Sequence, residues 1–122
     1  MSYIDIEVPE KLQTKIIDVL KEVSEKPSNI KRGMNETTKA IERGIAKLVI
    51  IAGDVSPPEI VMHLPKIAEE KKIPYGYIDE KISVGKAIGI NVPCAAIAVV
   101  GNPPKVNDEL DQIINNLSKL KS

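Results

Sequence analysis

Asn35, Glu36, Lys39 and Arg43 fall within the string "RGMNETTKAIERG" at residues 32–44. At about 100° per residue, a helix gathers these four into an arc of about 100°, with Thr37, Ala40 and Ile41 on the opposite side. An amide, a carboxylate, an ammonium and a guanidinium in fixed relation offer donors and acceptors suited to reading a polar edge. A solvated face of an amphipathic helix is the ordinary explanation of such an arc. Two features go beyond it. A merely soluble face needs only charge, not this mixture of donors and acceptors. Gly33 and the helix start also present bare N–H groups, a ready contact for a phosphate or sugar.

Catalytic chemistry has little to build on. His63 and Cys94 are each the only residue of their type. A Cys–His pair would still need a positioning partner and an oxyanion site. His63 lies in the apolar stretch "IVMHLP" and reads as a half-buried, hydrogen-bonded histidine. Cys94 opens an aliphatic run and reads as a small hydrophobe. One His and one Cys do not make a zinc site, so no metal and no cofactor is expected. Asp54 follows the run "LVIIAG", where open α/β sheets place ligand groups. A receiver-like or small-ligand α/β domain centred on Asp54 is therefore the alternative reading. Such a site recruits further carboxylates, and the other strand ends read "YIDE" and "VVGN", so Asp54 fits a turn cap better. Neither a Walker loop nor a GxGxxG fingerprint is present.

The bulk numbers limit the partners. The 122 residues are one domain's worth, 43% hydrophobic and 28% charged. No apolar run reaches transmembrane length and Met1–Glu10 has no signal-peptide pattern. A single cysteine forms no internal disulfide, and a cytoplasmic protein, monomeric when free, is expected. The 17 basic and 17 acidic residues cancel, yet Lys26–Lys47 holds six basic and two acidic residues. A local basic face on a neutral body suits a small anionic target better than a long duplex. Phe and Trp are absent and Tyr occurs three times. Base-stacking platforms built on exposed rings are thereby excluded, and any base would rest on aliphatic groups.

The positioning elements follow from periodicity. Pro9 starts a helix carrying Leu12, Ile16, Ile17, Leu20 and Val23, and "KPSN" at 26–29 breaks it. A second helix begins near Asn35 as cap residue and ends at Gly44. "KLVIIAG" at 47–53, "IPYGYI" at 73–78 and "CAAIAVV" at 94–100 read as strands, within a sheet of about four. Ser56 should cap a further helix, with Pro57 in its first turn and Pro65 bending or interrupting it. A short helix at 81–90 closes at Gly89. Val106–Leu120 is a helix with Leu110, Ile113, Ile114, Leu117 and Leu120 on one stripe, and "KLKS" should fray. The alternation predicts one α/β domain over 1–122 with helices on both faces of a central sheet.

The stretch "KRGMNETTKAIERGIAKLVIIAGDVSPPEIVMHLPKIAEEKKIPYGYI", continued by "KISVGKAIGINVPCAAIAVV", closely resembles the archaeal kink-turn-binding ribosomal proteins of the L-seven-Ae family. The resemblance runs from about Glu7 onward. It implies a three-layer α/β/α sandwich with a mixed central sheet of about four strands, and a non-catalytic RNA-binding protein that recognises kink-turns and kink-loops, whose tandem sheared G·A pairs flank a sharp bend. It also implies a component shared by the large ribosomal subunit, box C/D and H/ACA guide particles and ribonuclease P, with other protein subunits as partners. A related ribosomal or selenocysteine-element RNA binder is the alternative within the fold. By position, Asn35, Glu36 and Lys39 would meet guanine edges, with backbone groups of Arg32 and Gly33 nearby and Lys81 on the RNA backbone. Ile90 and Val92, with Ile60, would pack on the base flipped out of the kink. Asn91 stands between them where many archaeal members carry an acidic residue, and Gly53 and Ser56 also depart from the usual pattern. Arg43, on the same helical arc, completes the candidate set.

Overall fold

Leu48–Ala52, "LVIIA", is buried at every position, so both of its faces must be covered. The computed structural model describes residues 6–101 and 104–121. In it this strand, β2, is an interior member of a four-stranded sheet. In chain order the elements are α1 (Glu10–Val23), β1 (Ile30–Arg32), α2 (Met34–Glu42), β2 (Leu48–Ala52), α3 (His63–Glu70), β3 (Tyr75–Ile78), α4 (Lys81–Ala87), β4 (Ala96–Val99) and α5 (Asn107–Lys121). Single 3-10 turns at Pro27–Asn29, Pro58–Ile60 and Pro104–Val106 connect them. The sheet order is β1-β4-β2-β3. β2 and β3 are parallel, while β4 runs antiparallel to both of its neighbours, β1 and β2. Helix α1 packs with α4 and α5, and α2 packs with α3, which gives the three layers of the expected α/β/α sandwich.

Strand direction is what matters for a site. β1, β2 and β3 all leave the sheet at the end where β4 enters it. The segments 33–39, 53–60, 79–81 and 89–95 therefore meet at a single edge of the molecule. Lys105 reaches Glu22 at 2.8 Å and Glu25 at 3.4 Å, fastening the approach to α5 onto the end of α1. These hydrogen bonds, that to Glu22 first, hold the Lys105 ammonium above its ordinary pKa.

Several expectations shift. β1 is a strand that no aliphatic run announces: its residues are Ile, Lys and Arg, and it forms by pairing with β4. The run at 94–100 narrows to Ala96–Val99. Ser56 caps no helix, because Pro57 and Pro58 lead into a 3-10 turn instead. Pro65 neither bends nor interrupts α3, which starts at His63, so the proline is its third residue. First-turn N–H groups have no helical acceptor, and a missing one costs nothing there. Helix α5 continues regularly to Lys121, so "KLKS" is helical rather than frayed up to that residue.

The loop before β4 lies flat on α4. A Cβ at Gly85 would meet the backbone carbonyl of Val92, whereas one at Gly76 would meet only the Leu117 side chain, which can rotate. Gly85→Ala should therefore destabilise by about 1–3 kcal/mol or more, as overpacking against backbone does. Gly76→Ala should cost clearly less. Urea denaturation of the two variants checks the order.

Candidate nucleic-acid interface

At the strand-exit edge, β1 passes directly into α2. The Gly33 N–H donates to the Ala96 carbonyl at 2.9 Å, closing the β1–β4 ladder, and the Gly33 carbonyl accepts from Thr37 N–H at 3.0 Å. One residue thus ends a strand and caps a helix. It does so at φ 89°, a conformation that favours glycine. The expected cap, Asn35, is displaced from that role. It lies inside the first turn of α2 with its side chain exposed and the amide unused for capping. The N–H groups at the start of α2 have no helical acceptor, so they are available to an anionic or carbonyl ligand group.

The predicted arc holds. Thr37, Ala40 and Ile41 are buried, and Asn35, Glu36, Lys39 and Arg43 are exposed. Lys39 Nζ lies 3.7 Å from Glu36 Oε2, with the two side chains 56% and 49% exposed. An i,i+3 pair this wet contributes only about 0–1 kcal/mol, so a ligand can separate it cheaply. Arg43 sits at the far end of α2, about 12 Å along the helix from Asn35. It is set apart from the cluster by two turns.

The other three segments arrive around this helix start. After β2, Gly53 N–H donates to the Ile78 carbonyl at 2.8 Å, and the chain proceeds through Asp54 to Ile60, which is 42% exposed. After β3 comes Lys81, the first residue of α4, with its side chain exposed. Before β4 come Ile90, half-buried against the core, Asn91, exposed, and Val92, 53% exposed. Asn91 has φ 54°, and asparagine is among the few non-glycine residues that adopt this conformation readily. The loop is tied to α4 at both ends, by Ile90 N–H to the Gly85 carbonyl at 3.1 Å and by Cys94 N–H to the Lys81 carbonyl at 3.0 Å. Arg32, exposed at the end of β1, and Ile90 also border a groove of about 600 Å³ whose far wall includes Lys21 of α1. Lys21 was invisible in the sequence because its helix is recognised only by its apolar stripe.

The residues set aside as chemistry behave as follows. His63 is exposed, not half-buried as its apolar neighbours suggested, because α3 begins there and turns it outward. Its Nε2 is 3.0 Å from Thr38 Oγ1, bridging α3 to α2. Cys94 is buried and donates its S–H to the Ala96 carbonyl at 3.3 Å. Asp54 Oδ1 accepts the Lys81 N–H at 2.8 Å. Among the described residues, no three of His, Cys, Asp and Glu are grouped as a metal ion would need. No described helix is long and apolar enough to cross a membrane.

Comparison with known proteins agrees with the fold. The model of the ribosomal protein L7Ae/L30e/S12e/Gadd45 family matches residues 14–107, a span that contains every candidate residue above. Among solved structures, the chain is similar to a Giardia lamblia 15.5kD RNA binding protein, with 33% identity over 97% of each chain and a TM-score of 0.89. The chain belongs to the L7Ae/L30e/S12e/Gadd45 family.

The exposed arc and the buried face of α2 should separate in stability measurements. Glu36→Ala and Lys39→Ala should each shift stability by no more than about 0.5 kcal/mol. Thr37, by contrast, is fully buried and its hydroxyl has no hydrogen-bond partner among the described residues. Thr37→Val keeps the shape and removes that unpaired group, so it should stabilise by about 1 kcal/mol. Thermal denaturation of the three variants tests both statements.

Proposed function

We propose that this chain is a non-catalytic RNA-binding protein that recognises kinked RNA, reading the guanine edges of sheared G·A pairs from the first turns of α2. The supporting observation is the convergence on one edge of a polar helix start with the exposed aliphatics Ile60 and Val92. An A-form major groove is too narrow for side chains, and a kink opens it. Asn35 and Lys39 suit the O6 and N7 acceptors of guanine. Glu36 is the informative residue: a carboxylate repels phosphate, so it is useful only against base donors such as guanine N–H groups. Arg32 and Lys81 provide charge for the RNA backbone, and Ile60, Ile90 and Val92 provide an apolar rest for an unstacked base. Arg43, set apart along α2, would touch at most the flanking backbone. By the family resemblance, the RNAs are ribosomal, guide and ribonuclease P RNAs of an archaeal kind, bound alongside other subunits of those particles. The receiver-like reading loses its support because the Asp54 carboxylate is engaged by the start of α4.

The direct test is a gel shift with a kink-turn RNA against a plain duplex of equal length. Tight binding to the first alone supports the proposal, and equal binding to both overturns it. Glu36→Ala and Lys39→Ala should each weaken kink-turn binding by about 1–3 kcal/mol while leaving the fold intact. With three or four phosphate contacts, the log–log salt slope should be about −2 to −4, and a slope near −10 would mean electrostatic wrapping over a larger surface.

The aliphatic half of the interface has its own signature. Covering Ile90 and Val92 partially should contribute about 1.5–3 kcal/mol in total. Replacing both by Ser should weaken kink-turn binding by about ten- to hundredfold, at 1.4 kcal/mol per decade. Weak duplex binding, which presents no splayed base, should stay the same. Undiminished kink-turn affinity in a folded double variant would remove these residues from the site.

A further inference from the structure

Lys81 is held by its backbone on both sides. Its N–H donates to Asp54 Oδ1 at 2.8 Å, and its carbonyl accepts the Cys94 N–H at 3.0 Å. The first bond ties the start of α4 to the turn after β2, and the second ties it to the end of the 89–95 loop. The residue two places earlier has a different anchor: Asp79 N–H donates to Gln13 Oε1 at 2.9 Å, and Gln13 Nε2 donates to Asp79 Oδ1 at 3.1 Å. Glu80, the cap residue of α4, makes no side-chain cap hydrogen bond of its own. The first N–H of the helix therefore depends on a carboxylate brought from the turn after β2.

We propose that Asp54 is a positioning residue for the RNA interface, holding the first turn of α4 and, through it, both Lys81 and the Ile90–Val92 loop. The loop can follow α4 because its other tether, Ile90 N–H to the Gly85 carbonyl, and the seating of the Val92 carbonyl over Gly85 also belong to that helix. The sign of the effect separates this role from simple electrostatics. Asp54 is an exposed negative charge at an edge that would face phosphates. If it did nothing but repel them, removing it would tighten binding. A positioning carboxylate gives the opposite result.

The inference rests on the RNA reading for its binding arm only, and the test has a second arm that does not. Asp54→Ala should weaken kink-turn binding by about threefold or more, the scale of a lost helix-terminal cap. It should also speed hydrogen exchange at the Lys81 and Cys94 amides while Ile50, in the middle of β2, stays protected. Asp54→Asn, which keeps an oxygen acceptor and loses the charge, should restore slow exchange at both amides and hold affinity at or above the wild-type value. The proposal is overturned if Asp54→Ala binds kinked RNA as tightly as wild type or more tightly, if Asp54→Asn falls as far as Asp54→Ala, or if Ile50 loses protection together with Lys81. If the wild-type chain does not bind kinked RNA at all, the proposed function fails. The exchange arm then decides alone: Lys81 and Cys94 amides that stay equally slow in Asp54→Ala overturn the positioning role, and their selective acceleration sustains it.

Discussion

The bond from Gly33 N–H to the Ala96 carbonyl fixes where everything else at the interface can be. It joins the residue that follows β1 to the first residue of β4, so the start of α2 and the end of the 89–95 loop lie side by side. The same β4 pairs with β2 on its other edge, and Ala52 N–H reaches the Ala95 carbonyl at 2.9 Å. The exit of β2 is thereby brought to the same place. β3 then follows β2 in parallel register, Ala52 opposite Ile78, which delivers Lys81. Four distant segments of sequence meet because one antiparallel strand enters among three that leave.

That arrangement also explains why so many polar side chains remain unengaged at the edge. Helix starts ordinarily draw on nearby Ser, Asn or Asp side chains to satisfy their first N–H groups. Here α2 takes its turn from the backbone of Gly33, and α4 takes its acceptor from Asp54. Asn35 and Lys81 are thus relieved of structural work in the first turns they occupy. Glu36 and Lys39 hold each other only loosely across solvent. Backbone bonds provide the rigidity and leave these side chains uncommitted, an arrangement that, under the proposed RNA reading, lowers the ordering cost of binding.

How much of this could be read from the residues depended on whether the signal was local. The helical arc of 35–43, the aliphatic runs that became β2, β3 and β4, and the stripe of α5 as far as Leu117 are patterns set by burial on one face or two, and they were legible, whereas Leu120, expected on that stripe, is exposed. β1 was not, because a three-residue edge strand reading Ile-Lys-Arg exists only through its partner β4. The exposure of His63 was hidden for a related reason. Its neighbours Val61 and Leu64 are buried, yet the helix that starts at residue 63 turns the histidine toward Thr38. The displaced cap at Asn35 shows the limit of composition: asparagine is a good cap in general, and a glycine two residues earlier took the position by conformation. The roles proposed for Ile60 and Lys81 rest on the family resemblance, since a lone exposed isoleucine and a lone exposed lysine carry no pattern.

The scarcity of aromatic residues finds its place in the same physics. Two of the three tyrosines, Tyr75 and Tyr77, are buried and meet edge to face with centroids 6.1 Å apart, so they serve the core. An apolar contact with a nucleobase therefore has to come from aliphatics that cannot retreat. Val92 fulfils that condition. Its carbonyl is seated over Gly85, and the preceding Asn91 takes the left-handed conformation that turns the loop. A flexible loop carrying the same side chains would fold them inward to escape water. Val92, instead, is held more than half exposed by backbone geometry alone. The apolar surface is kept wet until something covers it, and the hydrophobic gain then goes to binding rather than to folding.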